Sequence, residues 1–521
     1  MAAALLVPLD EMMARFERVL ATSPADATEI AWIEVRRAQA VSGRGRHEIA
    51  ATERLTAASA PAPAVDSPGS PRRERSLLVR VRQSGRTGLY RTGAIEPGEL
   101  ENAVREALAQ ARLAPATPAE PLAGAAERRG ERSGPLAEPA AAQGAATPTA
   151  ALFDEELAEL EPGRARELLE RAAAPGEQLR LSWLEGRVAV ANSAGLRRTA
   201  RVTAASFAAR CGRGAGAGSV TGSARRLEAL GLADLLERAR SRHAGADAGT
   251  GAAEPGGAEA TAVPVSGAAA AVPGSGAAAA VPTSGAAAAL PEELAMVLSE
   301  QGAAALLDLL NRHALSSAAH RDAAGFLHRR LGETVLASCL SLRDDGTDPR
   351  ALPFPFDLAG WPKRPVDLVA NGVFTTPAVD PRLAHEIGRQ PTPHAMAPDE
   401  SVAANLLLLP GDRAPLAETD LLRQAADGIW IGELGVECFD TRHLRFRALA
   451  RGVRRIIGGA LGPPLPDLLW EDSLPAALAR ALALGDRPLA VATGDMLFGA
   501  TAAPLLALRG GGRLSSLSRR A

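Results

Sequence analysis

Lysine is almost missing from this 521-residue chain: Lys363 is the only one, and arginine carries the rest of the positive charge. Aromatic residues make up 3%, with Tyr90 the sole tyrosine, so any core must be built mainly from Leu, Val and Ala. The three cysteines, Cys211, Cys339 and Cys438, are odd in number and far apart. They form neither a disulfide framework nor a paired-thiolate metal site. Formal net charge is −2 and neither half carries a long basic run, so nucleic-acid binding has no electrostatic support. No stretch approaches the roughly 18 apolar residues of a membrane-spanning helix. The apolar start, Met1 to Pro8, lacks a basic leader and is followed by Asp10 and Glu11, which fails as a signal peptide. The expectation is a cytoplasmic protein with no membrane contact.

What is present is a 46% hydrophobic composition, part of it alanine in low-complexity runs. The pattern predicts an α+β protein: an N-terminal α/β region with mixed or antiparallel strands, then a strand-rich, barrel-like or sandwich-like domain. Residues 1–113 open with an amphipathic helix over 9–21, whose Met12, Phe16, Val19 and Leu20 share one face. Strands are expected at 30–35, 77–82 and 89–92, with Gly85 to Gly88 as a turn and a helix from Pro97 to about Leu113. Residues 57–75 read as a loop insertion and 114–150 as a low-complexity linker. The middle segment, 151–244, predicts a helix near 164–173 and strands at 179–183 and 187–191 joined across Glu185-Gly186. Asn192 to Gly195 should turn, a strand should follow at 199–210, and 225–244 should be helical.

Residues 245–291 hold the only internal repeat, Ser-Gly-Ala-Ala-Ala-Ala-(Val/Leu)-Pro, starting at Ser266, Ser275 and Ser284. Alanines broken by proline have little to stack, so the segment reads as a flexible linker. In the C-terminal part, 292–521, a strand is expected at 294–298, a helix at 302–313 and a strand at 334–342. Further strands over 353–376 should be punctuated by Gly360 and Gly372.

No complete catalytic motif appears. His313, His320 and His328 are seven and eight apart, but Asp322 to Gly325 interrupts any shared helix, so they read as separate histidines. His47-Glu48 and His385-Glu386 lack the second histidine that a helical zinc motif requires. The glycines at 212, 214, 216 and 218 follow a strand, but no helix start aims amides at a phosphate, so a hairpin loop is the better reading. No serine sits in a Gly-x-Ser-x-Gly elbow. His394 lies in a loop-like Pro-Thr-Pro-His-Ala run, and is the weak candidate for substrate contact.

Two series of motifs are more specific. One is Leu78-Val79-Arg80-Val81-Arg82, Gly85 to Thr92 and the helix that follows, with Val190 to Gly195 as a middle element. The other is Leu331-Gly332-Glu333, Phe356-Asp357, Gly360, Asn371-Gly372-Val373, Pro393-His394-Ala395, Asn405-Leu406 and Pro410-Gly411. Their order resembles the TldD/PmbA family, over about residues 30–245 and 292–510. In its TldD-like members the resemblance implies zinc-dependent peptide cleavage, with a His-Glu-x-x-x-His helix and a later cysteine holding the metal. Counting back from Gly332, Asp308 stands for the first histidine, Leu309 for the general base and His313 for the second histidine, while Ile431 stands for the cysteine. Leucine cannot activate water. The resemblance therefore implies a TldE-like (PmbA-like) subunit with no bound cofactor and no peptidase activity alone. Its expected partners are a zinc-holding TldD-like subunit and a peptide substrate. The alternative is a stand-alone peptide-binding or scaffold protein.

Overall fold

The computed structural model describes residues 7–42, 72–116 (without 95 and 97), 122–123, 152–244 (without 213–215) and 294–516 (without 398–399). The repeat over 245–291, nearly all of 114–150 and residues 57–71 lie outside the described residues.

Residues before and after the 114–150 segment build one six-stranded sheet. Its strands are β1 (Ala27–Ser42), β2 (Arg72–Gln83), β3 (Arg86–Thr92), β4 (Glu177–Asn192), β5 (Arg197–Cys211) and β6 (Gly218–Ala224). They run in the order β3-β2-β1-β4-β5-β6, with every neighbouring pair antiparallel. The side-chain period of two assigns the two faces. On β4, Leu179, Leu181, Trp183, Ala189 and Ala191 point to one side, and Leu184, Val188 and Val190 to the other.

Helices cover the first face. Met12, Phe16 and Val19 of α1 (Leu9–Thr22), with Leu100 and Val104 of α2 (Glu99–Leu113), pack on Ile30, Trp32, Leu77 and Val79. Leu169 of α3 (Pro162–Ala172) and Leu235 and Ala239 of α4 (Leu232–Ala244) pack on Leu181, Trp183 and Phe207. The opposite face meets the C-terminal part: Val188, Val190 and Val202 share a core with Phe354, Phe356, Leu497 and Phe498. Both faces are thus buried, and this explains why β4 is mostly apolar rather than alternating.

Several expectations are corrected here. Segments 179–183 and 187–191 belong to one strand, and the Glu185-Gly186 turn does not exist. A Cβ on Gly186 would stand 2.1 Å from Leu497 Cδ1, so the glycine admits the C-terminal domain instead of turning the chain. Gly88 likewise lies inside β3, where a Cβ would fall 1.9 Å from the Ala107 carbonyl of α2; the turn is at Ser84-Gly85, both with positive φ. Strand β2 starts at Arg72, inside the expected 57–75 insertion. The helix expected from 225 begins at Leu232, after a short 3-10 turn. The turn at 193–195 and the hairpin between Cys211 and Gly218 are as expected.

The C-terminal part is strand-rich, with three larger sheets. One is ordered Val373–Phe374, Val366–Ala370, Leu340–Asp344, Leu406–Pro410, Thr501–Ala503, Leu489–Val491. The second runs Ala460–Pro464, Arg454–Ile457, Ile429–Ile431, Met296–Leu298, Leu506–Leu508, Ala481–Leu484. The third has four strands, Glu433–Asp440, Arg445–Arg451, Leu468–Ser473 and Arg513–Ser516. Each sheet is open, so none of these described strands closes a barrel. Helix α5 (Glu300–Leu310) lies in the main core and passes into a π-helical turn, Asn311–Leu315, before its expected end at His313. The strand expected over 334–342 forms only at Leu340–Asp344, because residues 334–339 are spent in turns and one isolated bridge. No helix among the described residues is long and apolar enough to cross a membrane.

Two arginine sites fasten the domains. Arg225, buried at the end of β6, donates to the carbonyls of Leu352, Pro353, Met496 and Leu497 and to that of Thr203. Burial lowers its pKa to about 9, a cost offset by those five acceptors. Glu300 at the start of α5 is buried between Arg238 and Arg242 of α4, and Arg242 stacks 4.8 Å from the Trp430 ring centroid.

Replacing Arg225 by Met would strand these carbonyls, and we expect a loss of about 3 kcal/mol or more in urea unfolding. Gly186→Val should cost about 1–3 kcal/mol by overpacking. Combined with Leu497→Ala it should cost less than the sum of the two single changes.

Candidate functional site

Helix α5 places the motif positions. Leu309 is buried in the main core, and Ile431 is fully buried on a strand paired in parallel with Met296–Leu298. Asp308 is partly buried and holds Arg312 at 2.8 Å. Burial raises the Asp308 pKa against the opposing pull of that arginine. His313 is half-buried on the π-helical turn, and burial together with Arg312 lowers its pKa. These residues do not fit a zinc ion. Leu309 and Ile431 offer no donor atom, and Arg312 already occupies the Asp308 carboxylate and adds positive charge beside both remaining donors. Among the described residues no three His, Cys, Asp or Glu side chains come together as a metal-binding group.

Of the three histidines expected to be separate, His320 and His328 come together because the chain turns back between them. His320 and His328 meet with ring centroids 6.1 Å apart, and His328 Nδ1 lies 3.0 Å from the His320 carbonyl. The short helix carrying His320 stops at Arg321. His385 and Glu386 sit on the short helix Pro381–Ile387, where Glu386 pairs with Arg382 at 3.2 Å. His47 lies outside the described residues.

His394 behaves differently. Its ring is fully buried, with Nε2 3.1 Å from Asp344 Oδ2 and Nδ1 2.6 Å from Thr392 Oγ1. The only lysine, Lys363, brings Nζ to 3.6 Å from the same Asp344 oxygen. Asp344 Oδ2, Lys363 Nζ and His394 Nε2 are buried and none makes a hydrogen bond, so Lys363 and Asp344 form an ion-pair contact, and His394 joins it as an ion only when protonated. Asp344 Oδ1 accepts from the Asn405 amide at 2.7 Å, while the Asn405 side chain accepts from Leu352 N and donates to the Asp345 carbonyl. Burial alone would raise the Asp344 pKa, but Lys363 and His394 hold it well below the usual carboxylate range. Burial lowers the His394 pKa despite Asp344, which leaves the imidazole neutral at pH 7.

Asp357 stands in front of this cluster. Its Oδ1 accepts from the amides of Ala359 and Trp361, and its Oδ2 from that of Ala395, the residue after His394. Burial outweighs those bonds and the field of Lys363, raising its pKa to about 6. Asp357, Thr392 and Ala395 line a narrow cleft that opens to solvent. Its opposite wall is the inner face of the N-terminal sheet, with Ala31, Leu78 and the paired Glu29 and Arg80. A mostly apolar cleft at a domain junction with a few convergent polar groups is the usual form of a ligand site. Among the site residues, sequence reasoning singled out only His394 here. Asp357 enters the sequence reading only within the Phe356-Asp357 motif and Lys363 only as the sole lysine among 58 basic residues, neither with a site role, and Asp344 not at all.

The sign of the Asp357 effect is testable. A carboxyl whose folded pKa is raised stabilises the fold most below its unfolded value, and that contribution is lost as pH rises through about 6. We expect wild-type stability to fall by about 2–3 kcal/mol relative to Asp357→Asn between pH 4 and pH 7, by urea unfolding.

Comparison with known proteins accords with this architecture. Residues 291–510 match the family model described as the PmbA/TldA metallopeptidase C-terminal domain. No curated protein matches the sequence. Among solved structures, TldE from Thermococcus kodakarensis superposes with a TM-score of 0.66 at 16% identity, covering 97% of this chain and 100% of that one. A Thermotoga maritima protein, titled for a suggested role as modulator of a DNA gyrase, gives 0.68 at 14% identity over 98% and 100%. A Bacteroides thetaiotaomicron protein with a similar title gives 0.65 at 16% over 98% and 100%. Residues 291–510 thus carry the C-terminal domain of the PmbA/TldA family, and the fold of these solved structures extends along nearly the whole chain.

Proposed function

We propose that this chain is the TldE-like, non-catalytic subunit of a heteromeric zinc metallopeptidase that processes peptides. The observation that carries the reading is the state of the motif positions. Leu309 occupies the general-base position and cannot take a proton from water, Ile431 cannot bind metal, and Asp308 is spent on Arg312. Its fold likeness to TldE from Thermococcus kodakarensis is in keeping with this role.

In this reading a TldD-like partner supplies the metal and the hydrolytic step. This chain contributes structure: it completes a closed chamber with the partner and holds part of an extended substrate. Strand-rich domains can hold a peptide through main-chain hydrogen bonds with little demand on sequence.

The test is co-purification of the tagged full-length chain from its native host, with metal analysis of the complex and of the chain alone. We expect zinc far below one equivalent in the isolated chain, and chelator-sensitive peptide cleavage only when the TldD-like subunit is present. Stoichiometric zinc and robust cleavage by the isolated chain would overturn the proposal.

A further inference from the structure

The junction cleft contains a buried carboxylate without a countercharge of its own. Among the described residues no arginine, lysine or histidine lies within ion-pair distance of Asp357. Lys363, whose field reaches it, stands against Asp344 instead. The other charges in the cleft, Glu29 and Arg80, pair with each other. Counting the cleft lining, two carboxylates face one guanidinium, so its formal charge is −1 when Asp357 is ionised. Around that charge the walls are apolar, with Leu78, Leu358 and Trp361 available to an alkyl chain. A long aliphatic stem ending in a cation matches this arrangement, because the stem buries against the walls while the head meets the carboxylate. Three backbone amides already orient the carboxylate, so little would have to be reorganised when the cation arrives.

We propose that the cleft between the N-terminal sheet and the C-terminal domain is a recognition pocket for a basic side chain of a peptide, with Asp357 as its counterion. This deepens the subunit reading, since it names what this chain would grip in a substrate held by the complex. Asp344, Lys363 and His394 act behind it as positioning residues. His394 ties the 392–395 segment to the core, and Ala395 in that segment donates to Asp357. By holding Asp344, Lys363 is kept from neutralising Asp357 directly.

The experiment is calorimetric titration of the isolated full-length chain, without any partner, at pH 7.5. The probes are three pentapeptides blocked at both ends that differ only at the central residue, being lysine, arginine or norleucine, and a norleucine pentapeptide with a free amino terminus. We expect the lysine and arginine peptides to bind at least tenfold more tightly than the blocked norleucine peptide. The free-terminus peptide should gain little, because its amine lacks the stem. In Asp357→Asn the preference should fall to within about twofold, with the thermal midpoint at pH 7.5 no lower than that of wild type. As a second variant, Leu78→Phe should weaken binding of all four peptides by filling the cleft from the sheet side, while Asp357 stays intact. Equal affinity for lysine and norleucine peptides would overturn the proposal, as would a preference unchanged in Asp357→Asn or an absence of binding by all four. Cleavage by the complex is measured separately, so a failure here leaves the subunit reading intact, and a failure of that reading leaves this binding result intact.

Discussion

The packing of one sheet face on the C-terminal domain is the constraint from which the rest of the structure follows. A six-stranded antiparallel sheet normally keeps one face wet. Here that face is apolar and covered, and the contact is made specific by Arg225. A guanidinium fans its donors in a fixed plane, so five carbonyls from three separate stretches of chain must arrive together. Hydrophobic burial supplies most of the attraction, but it tolerates sliding. The arginine does not, because any shift strands buried acceptors. Glu300 between Arg238 and Arg242 fixes a second point, and two points set the relative orientation of sheet and domain.

That orientation creates the cleft. Its walls come from β1 and β2 on one side and from the 357–361 and 391–395 segments on the other. Neither wall forms a pocket alone. The polar groups are arranged in depth: a low-pKa Asp344 shared by Lys363 and His394 lies inside, and a raised-pKa Asp357 lies at the surface of the cleft. Two carboxylates so close in the fold are driven apart in acidity by their partners. Asp344 has two basic neighbours in contact, whereas Asp357 has only amides and a distant lysine.

Much of the architecture was legible in local patterns. The amphipathic period of α1 and the alternation at Leu77–Arg82 identify their elements, and both survive because the regularly spaced apolar residues of each enter one helix-covered core. The errors have a shared cause. In the sequence Gly88 and Gly186 read as turn glycines because flexibility is the commonest use of that residue. Both are in-strand positions where another element approaches too closely for a Cβ. Nothing local distinguishes the two uses. The same limit applies to the 334–342 segment, whose apolar alternation suits a strand but whose backbone is taken up by turns.

By itself the sequence determined the α+β class and the order of most elements, because hydrophobic periodicity and turn residues act locally. It also marked His394 as a candidate and carried the sole lysine in plain view. Only the tertiary structure decided that Lys363, Asp344 and His394 meet, and that Asp357 faces a cleft across from Leu78. Those contacts join residues that are far apart along the chain, and their energies depend on burial, which no local pattern encodes.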